Sequence, residues 1–271
     1  NGSGYTAKHG GNFLLADDPW FRSTVQITGP DGSVFIADWN DLGECHDNDG
    51  SYRSSGRIYK VSYGDVKPQV NLNLAKLSDA ELIKLLGHAN EWHRRHAQRL
   101  LQERAVAGKL DQATVAALRK LHAAEKDVPK QLRLLWALHV TGGAEEKFLT
   151  THLDHASEHA RWWAIRLLTE DNKISPALLA KFVTMARNDE SAFVRLGLSS
   201  ALQRLPVSDR WELATALLAH AEDAADKDLP LLTWYRIEPA VAADPAKAAL
   251  LLAKCQQPQV RQFITRCLTA K

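Results

Sequence analysis

The chain has 271 residues, of which 45% are apolar, and its 34 Lys and Arg residues nearly balance its 32 Asp and Glu residues. This balance excludes a nucleic-acid binder, because the net charge is close to zero and no run of basic residues occurs. The sequence predicts no transmembrane segment, because no stretch approaches about 18 consecutive apolar residues. The chain begins at Asn1 without an initiating Met, so we expect a secretion signal to be removed or encoded upstream.

Residues 1–66 predict a small antiparallel β-meander. Residues 23–28 and 33–38 have strand-like sequences, and Gly29-Pro30-Asp31-Gly32 between them supplies the backbone angles of a hairpin turn. Residues 56–63 alternate apolar and polar side chains and predict a third strand. Three short strands are the size of one β-propeller blade, and such a sheet needs a cover on its apolar face. The cover is either the first helices or neighbouring blades that this chain lacks.

Residues 67–76 contain Pro68 and alternating Asn residues and predict a linker. Residues 77–271 predict a HEAT-like α-solenoid, an α-α superhelix of about six helix pairs. Ser78 and Glu81 predict a capping box, Asn90 should cap the next helix, and Pro239 should end or kink its own helix. The predicted pairs are residues 78–86 and 91–104, 112–124 and 129–140, 145–153 and 158–169, 176–187 and 191–205, 208–221 and 229–242, and 245–255 and 258–269.

A recurring segment supports the solenoid. It is Ala160-Arg161-Trp162-Trp163-Ala164-Ile165-Arg166-Leu167-Leu168. Its tail recurs as His96-Ala97-Gln98-Arg99-Leu100-Leu101, and its first two residues recur as Val194-Arg195 and Val260-Arg261. The offsets equal one or two units of about 33 residues, the size of a helix-turn-helix repeat that buries its apolar face against a neighbour.

Arginines and tryptophans of the repeats have two interpretations each. The arginines at the start of the second helices predict either an anion-binding ladder or ties to an acidic residue of the next repeat. These interaction candidates are Arg94, Arg161, Arg195 and Arg261. The tryptophans predict either a ligand-stacking surface or large side chains that fill the wedge between helix pairs. They include Trp92, Trp136, Trp162, Trp163 and Trp234.

Two groups of residues are candidates for a metal site. His152, His155 and His159 would share one face of a continuous helix, but the turn expected at residues 156–157 breaks that face. The polar loop at residues 38–49 is a candidate for calcium, although its spacing differs from that of an EF-hand. Its candidate ligands are Glu44, His46, Asp47 and Asp49. The alternative is structural, with these acidic groups capping turns and pairing with arginines; those arginines are Arg22, Arg53 and Arg57.

The three cysteines exclude a disulfide framework. No Cys-x-x-Cys-His motif occurs, so the sequence predicts neither covalent c-type haem nor a common zinc site within this chain. Cys45 stands in the polar loop, whereas Cys255 and Cys267 fall near the ends of two paired helices. That pair forms either a disulfide in an oxidising compartment or two buried thiols. No motif of hydrolases or nucleotide-binding enzymes occurs, so we predict no catalytic residue.

Five short motifs occur in order along residues 17–60. They are Asp17-Asp18-Pro19-Trp20-Phe21-Arg22, Gly29-Pro30-Asp31-Gly32, Ala37-Asp38-Trp39, Gly43-Glu44-Cys45-His46-Asp47 and Ser55-Gly56-Arg57-Ile58-Tyr59-Lys60. As an ordered set they resemble the end of the β-propeller in the membrane-bound dehydrogenase family of planctomycete- and verrucomicrobial-type bacteria, a group of haem-binding proteins. The resemblance continues through Leu77-Ser78-Asp79 and residues 94–104, and covers residues 10–105 well.

This resemblance implies a longer parent protein that is periplasmic or secreted. It implies a propeller similar to quinone-dependent sugar dehydrogenases, HEAT-like repeats and a cytochrome c module, with c-type haem and a quinone as cofactors of the parent. This chain resembles the last blade and the repeats, so our first hypothesis is a non-catalytic scaffold whose partners are the missing blades and the haem module. The alternatives are a self-contained HEAT-repeat module that binds a protein or glycan, and a metal-binding site at residues 38–49.

Overall fold

The structure is a computed structural model that describes residues 2–40 and 55–270. Within these residues the chain is mainly α-helical and carries one small antiparallel β-sheet. The chain divides into two compact units, one formed by residues 1–8 and 144–271 and the other by residues 9–143. No helix of the described residues is long and apolar enough to cross a lipid bilayer.

The predicted helix pairs all have counterparts in the structure. The unit of residues 9–143 contains strands β1 (Ser23–Thr28), β2 (Val34–Asp38) and β3 (Arg57–Val61), and helices α1 (Asp79–Leu85), α2 (Glu91–Val106), α3 (Gln112–Ala124) and α4 (Val128–Val140). The other unit contains α5 (Glu146–Thr151), α6 (Glu158–Leu168), α7 (Pro176–Asn188), α8 (Ala192–Ala201), α9 (Trp211–Leu218), α10 (Leu229–Ala243), α11 (Pro245–Lys254) and α12 (Pro258–Thr269).

The predicted hairpin and third strand are confirmed as an antiparallel sheet with the order β1-β2-β3. The Gly29 N–H donates to the Ser33 carbonyl at 2.7 Å across the turn, and Asp31 Oδ1 accepts the Ser33 N–H at 3.0 Å. Gly32 has a φ of +86°, a left-handed conformation that glycine adopts without strain. Local chemistry therefore fixes the hairpin.

The two faces of the sheet differ in exposure. Val25 on β1, Ala37 on β2 and Ile58 on β3 lie in register on one face. Val25 is 46% exposed, Ile58 is 78% exposed, and Ile27 on the same face is 58% exposed. Ile36 lies on the opposite face and is 3% exposed. The sheet therefore buries Ile36 and Asp38 of its central strand on one face, while the other face presents apolar side chains to solvent.

The hairpin turn is bonded to the start of α2. Asn90 Nδ2 donates to the carbonyls of Gly29 and Pro30 at 2.9 and 3.0 Å. His93 Nε2 lies 3.0 Å from the Pro30 carbonyl oxygen, so this ring nitrogen carries the proton and donates. These bonds hold the hairpin within the unit of residues 9–143, and the predicted linker at residues 67–76 lies inside that unit.

Both predicted caps are confirmed. Ser78 Oγ accepts the Glu81 N–H at 3.3 Å, and Glu81 Oε2 accepts the Ser78 N–H at 2.8 Å, which completes the capping box at α1. The hydrogen bonds from Ser78 lower the pKa of Glu81. Asn90 Oδ1 accepts the Trp92 N–H at 2.9 Å and caps α2.

Three predicted helices are shorter in the structure, because their ends adopt 3-10 turns. Such turns follow α5 at His152–Asp154 and α8 at Leu202–Arg204. Two more flank α9, at Val207–Asp209 and Ala221–Ala225, so this helix begins at Trp211 rather than at residue 208. Hydrophobic periodicity does not separate the two helix types, since both return to the same face after about three residues.

Pro239 does not end α10, which was one of the two effects expected of it. The helix continues through Pro239 to Ala243. Pro239 lies on the exposed side of the helix. Ile237 and Ala240 are each 1% exposed and anchor the buried face of α10 on both sides of the proline. This packing outweighs the roughly 3 kcal/mol that an interior proline costs a helix.

Corresponding residues of the recurring segment are buried. The buried sets are Ala97 and Ala164, Leu101 and Leu168, and Ala160, Val194 and Val260. Each set comes from second helices of different pairs, namely α2, α6, α8 and α12. The repeat in the sequence is therefore a repeat of apolar positions that face the helix contacts.

Candidate interaction surface

Four arginines occupy the fourth position of a second helix, in α2, α6, α8 and α12. In each case Nη1 donates to the main-chain carbonyl six residues earlier, which lies in the turn before the helix. The bonds join Arg94 to His88 at 2.5 Å, Arg161 to His155 at 2.9 Å, Arg195 to Asp189 at 2.8 Å and Arg261 to Cys255 at 3.0 Å. All four arginines therefore stabilise the turn within their own helix pair.

Arg161 and Arg195 also reach the next helix pair. Arg161 Nε and Nη2 donate to Asp189 Oδ2 and Oδ1 at 2.7 and 2.8 Å. Arg195 Nε and Nη2 donate to Asp223 Oδ2 and Oδ1 at 2.6 and 2.5 Å. Each aspartate lies 28 residues after its arginine. These two arginines therefore act as ties between repeats, the second of the two interpretations given for them.

The pair of Arg195 and Asp223 is buried, with side-chain exposures of 3% and 4%. Burial acts to lower the pKa of Arg195, but the hydrogen bonds to Asp223 and the charges of Asp223, Glu222 and Asp189 raise it overall. The guanidinium therefore stays charged. Its bidentate geometry offsets the cost of removing two charges from water.

Arg94 forms no tie to an aspartate among the described residues. Its Nη2 donates to Glu91 of its own helix. Burial and the charges of Arg133 and Arg95 lower the pKa of Arg94. Its Nε is buried and makes no hydrogen bond within residues 2–40 and 55–270. Arg94 therefore acts locally, at the start of α2.

Arg261 is the exposed member of the four. It lines an open groove of about 590 Å³ on α12, together with Gln262, Thr265 and Arg266. In the part of the chain that the structure describes, its hydrogen bonds go to the carbonyls of Leu252 and Cys255 and none to a carboxylate. Arg261 is therefore the one of the four whose guanidinium can meet an external anion.

The three clustered histidines do not share one helix face. His152 lies in the 3-10 turn after α5, His155 lies in the following turn, and His159 lies in α6. His152 Nδ1 lies 2.9 Å from the Phe148 carbonyl oxygen, and the His159 ring packs edge-on against Phe193. Among the described residues, no group of three or more His, Cys, Asp or Glu side chains is placed to hold a metal ion.

The predicted metal ligands of the polar loop, Glu44, His46, Asp47 and Asp49, lie outside the described residues. Asp38, at the start of that loop, is described. Its Oδ1 accepts the N–H groups of Arg22 and Asn40 at 2.8 and 3.0 Å, and its Oδ2 accepts Arg57 Nε at 2.9 Å. Burial raises the pKa of Asp38, but these hydrogen bonds and the charge of Arg57 lower it overall. Asp38 therefore has a structural role.

The tryptophans pack against other rings, and one of them also borders open space. Trp92 stacks on His96 with ring centroids 3.9 Å apart. Trp162 stacks on Phe193 at 5.3 Å. Trp162 also lines a cleft of about 460 Å³ formed by side chains of α6, α8 and the start of α10. Packing thus accounts for Trp92, whereas Trp162 can also contact a ligand.

Cys255 and Cys267 are free thiols. Burial raises the pKa of the Cys255 thiol, whose Sγ lies 3.6 Å from the Gln257 carbonyl oxygen. Covalent attachment of c-type haem needs two thiols and a histidine in one short motif. None of the three cysteines belongs to such a motif, so the residues of this chain do not fit the haem that the resemblance implies for the parent.

One contact in the structure has no signal in the sequence. Ser3 donates two hydrogen bonds to Asp226, which lies 223 residues later. Tyr5 packs edge-on against Phe193 beside this contact. No sequence motif marks the pair of Ser3 and Asp226 or the pair of Tyr5 and Phe193. Both contacts depend on where a short polar segment meets the folded helices.

Comparison of the chain with protein-family models, with curated proteins and with solved structures finds no match. The resemblance of residues 10–105 to haem-binding dehydrogenases stays a prediction.

Proposed function

We propose that this chain is a non-catalytic scaffold segment of a larger extracytoplasmic redox protein. In this proposal a HEAT-like superhelix of six helix pairs holds one blade of a β-propeller, and the partners are the remaining blades and a haem module. The exposed apolar face of the sheet is the observation that carries the proposal. The resemblance of residues 10–105 suggests what the partners are.

The exposed face of the sheet suits contact with another sheet. Val25, Ile27 and Ile58 lie on this face and are between 46% and 78% exposed. Each such side chain gains about 1.5–3 kcal/mol when it passes from full exposure to full burial. A three-stranded sheet is marginal without cover, and blades of a propeller cover one another face to face. A neighbouring blade would supply that cover.

The sheet is also bonded to the helices at its hairpin end. Asn90 and His93 bond the hairpin turn to α2. Arg57 pairs with Asp18 and Asp38 at the other end of the strands, at 2.5 and 2.9 Å. The hairpin end of the sheet is thus bonded to a helix, and the ion pairs join the strands to one another at the opposite end.

Contacts at the spacing of one repeat support the superhelix. Ser199 Oγ and Thr233 Oγ1 lie 2.8 Å apart and are 34 residues apart in the sequence. His220 Nε2 donates to the Ala186 carbonyl at 2.7 Å across the same sequence distance of 34 residues. These two contacts join equivalent positions of successive helix pairs, and the two arginine ties join successive pairs at a spacing of 28 residues. Ties between nearest neighbours are what a solenoid needs.

Thiol labelling tests the proposal. Ile27→Cys should react with a maleimide in the 271-residue chain and be protected in the full-length product of the gene, because neighbouring strands would cover position 27. Val106→Cys is the control, since Val106 is 84% exposed at the end of α2 and should react in both proteins. Peptide mass mapping separates these sites from the native cysteines. Equal labelling of position 27 in both proteins would refute the proposal.

A second candidate function is a self-contained HEAT-repeat module that binds a protein or a glycan. The cleft lined by Trp162 and Tyr235 favours it, because aromatic faces pack well against sugar rings and apolar side chains. A partner retained by the isolated chain and lost on Trp162→Ala would support this function. The metal-site alternative concerns residues outside the described part of the chain.

A further inference from the structure

Residues 2–5 form a short segment that contacts the helices of their unit. The Ser3 N–H donates to Asp226 Oδ2 and the Ser3 hydroxyl donates to Asp226 Oδ1, each at 2.7 Å. Ser3 is 1% exposed, so water has little access to these bonds. One carboxylate thus binds both the main chain and the side chain of a single serine.

Asp226 is also oriented by α10. Its Oδ1 accepts the N–H groups of Asp228 and Leu229 at 2.9 Å each, at the start of that helix. Burial acts to raise the pKa of Asp226, but hydrogen bonds from Ser3, Leu229 and Asp228 lower it to about 2. The carboxylate is therefore charged at neutral pH and is held in place by the N–H groups at the start of the adjoining helix.

The residues on both sides of Ser3 have to be small. Gly2 has a φ of +62°, and a Cβ atom there would lie 2.2 Å from Asp226 Oδ2. A Cβ atom on Gly4 would lie 3.1 Å from Asp228 Oδ2, a tight contact. Gly2 is therefore required by both its backbone angle and the approach of the carboxylate, and Gly4 is favoured. The contact with Asp226 therefore favours the sequence Gly-Ser-Gly at residues 2–4.

Aromatic rings extend this contact into the open cleft. Tyr5 packs edge-on against Phe193 with ring centroids 6.4 Å apart, and Phe193 stacks on Trp162. Trp162 lines the cleft of about 460 Å³, together with Lys227 and Tyr235. The surface that binds residues 2–5 is therefore continuous with a cleft that has room for further side chains of an extended peptide.

Within the described part of the chain, the hydrogen bonds of residues 2–5 run to a single side chain, Asp226. Residues 6–15, which follow it, are all exposed. A segment held by a few bonds and joined to exposed chain opens at low free-energy cost, and an external peptide of the same chemistry can then take its place.

We infer that Asp226, Phe193 and the adjoining cleft form a binding site for an extended peptide with the pattern Gly-Ser-Gly-aromatic, and that residues 2–5 occupy it as an internal ligand. The partner is a protein segment of this pattern, whose N–H and serine hydroxyl replace those of Ser3. This inference goes beyond the scaffold function, since it uses the helical unit of residues 144–271 and makes no use of the sheet.

Peptide binding tests the inference. The probe is a fluorescein-labelled peptide with the sequence of residues 1–8, and fluorescence anisotropy measures its binding to the full chain. Gly2→Val in the chain should expel the internal segment, because the new side chain collides with Asp226. We expect this variant to bind the probe at least about tenfold more tightly than the unchanged chain, where the tethered segment competes at a high effective concentration. Adding Asp226→Asn to the Gly2→Val chain should weaken its binding of the probe about tenfold or more, compared with the Gly2→Val chain itself.

Probe peptides with substitutions give a test that does not depend on whether further variants of the chain fold. A probe with Ser3→Ala lacks the hydroxyl, and a probe with Gly2→Val collides with the carboxylate, so each should bind the Gly2→Val chain at least about tenfold more weakly than the original probe. Circular dichroism checks that each chain variant is folded. The inference is overturned if the Gly2→Val chain does not bind the probe, if the altered probes bind equally well, or if Gly2→Val does not increase the affinity.

Discussion

Arg195 and Asp223 form a buried bidentate ion pair that joins α8 to the segment after α9, with nitrogen to oxygen distances of 2.6 and 2.5 Å. The same guanidinium donates through Nη1 to the Asp189 carbonyl at 2.8 Å, in the turn before α8. One side chain thus stabilises the turn of its own helix pair and binds the next pair. This double role makes Arg195 a structural residue of the repeat.

Arg195→Leu should lower the free energy of unfolding by about 3–5 kcal/mol, because Asp223 would be left buried without its counter-charge. Arg261→Leu is the matched control. Arg261 holds the corresponding position of α12 and the corresponding carbonyl, but it is exposed, so we expect a loss of about 1 kcal/mol or less. Urea unfolding followed by circular dichroism measures both values. Equal losses in the two variants would contradict the role given to Arg195.

Acid should destabilise the unit of residues 144–271 through Asp226. Its pKa is about 2 in the folded chain, against an ordinary value of 3.8. The unfolded chain therefore takes up the proton first as the pH falls. The contribution of Asp226, on the order of 2 kcal/mol, is present above about pH 4 and is lost as the pH falls towards 2.

Asp226→Asn should reduce this pH dependence of the unfolding free energy between about pH 5 and pH 2. Glu190→Gln, which removes an exposed carboxylate of the same unit, is the control for the loss of one negative charge. Urea midpoints measured at each pH give the comparison. An unchanged pH dependence in Asp226→Asn would show that the carboxylate is not bonded as described.

The sheet should respond very differently to substitutions on its two faces. Ile36→Ala should cost about 2–5 kcal/mol, since Ile36 is 3% exposed. Ile58→Ala should cost under about 1 kcal/mol in the 271-residue chain, since Ile58 is 78% exposed. Chemical unfolding of both variants measures the difference. A similar cost for the two would mean that the face of Ile58 is covered already.

Asn90→Asp should loosen the hairpin while it keeps the cap of α2. Aspartate retains the oxygen that accepts the Trp92 N–H, but it loses the N–H donors that bind the Gly29 and Pro30 carbonyls. We expect amide hydrogen exchange in β1 and β2 to rise by about fivefold or more. Exchange rates equal to those of the unchanged chain would contradict the docking of the hairpin.

Asn90→Ala is the companion variant, because it removes the cap as well. It should cost about 1 kcal/mol more than Asn90→Asp in the free energy of unfolding. Mass spectrometry of hydrogen exchange locates the effect, which should include the first turn of α2 only in the alanine variant.

Much of the fold could be predicted because its signals act over a few residues. The capping box of Ser78 and Glu81 and the turn at Gly29-Pro30-Asp31-Gly32 fix local geometry, and the structure has both. Pro239 does not end its helix because the effect of an interior proline depends on packing: the buried neighbours Ile237 and Ala240 keep α10 continuous. Local propensity yields to tertiary contacts at such a position.

The roles of site residues were harder to predict. Arg94, Arg195 and Arg261 look alike in the sequence, yet Arg195 is buried against Asp223 and Arg261 is exposed. Whether such an arginine binds the next helix pair depends on the residue 28 positions later. That residue is Asp223 for Arg195 and His122 for Arg94. The contact of Ser3 with Asp226 could not be predicted, since no periodicity or motif relates residues 223 positions apart.

The mass of the native polypeptide decides whether this chain is one segment of a larger extracytoplasmic redox protein. An antibody raised against residues 158–205 and a stain for covalent haem are applied to the same gel of extracytoplasmic proteins. We expect one band well above 30.1 kDa, the mass of the 271 residues alone, and we expect it to carry both signals. A haem-free band at 30.1 kDa would contradict the proposed function.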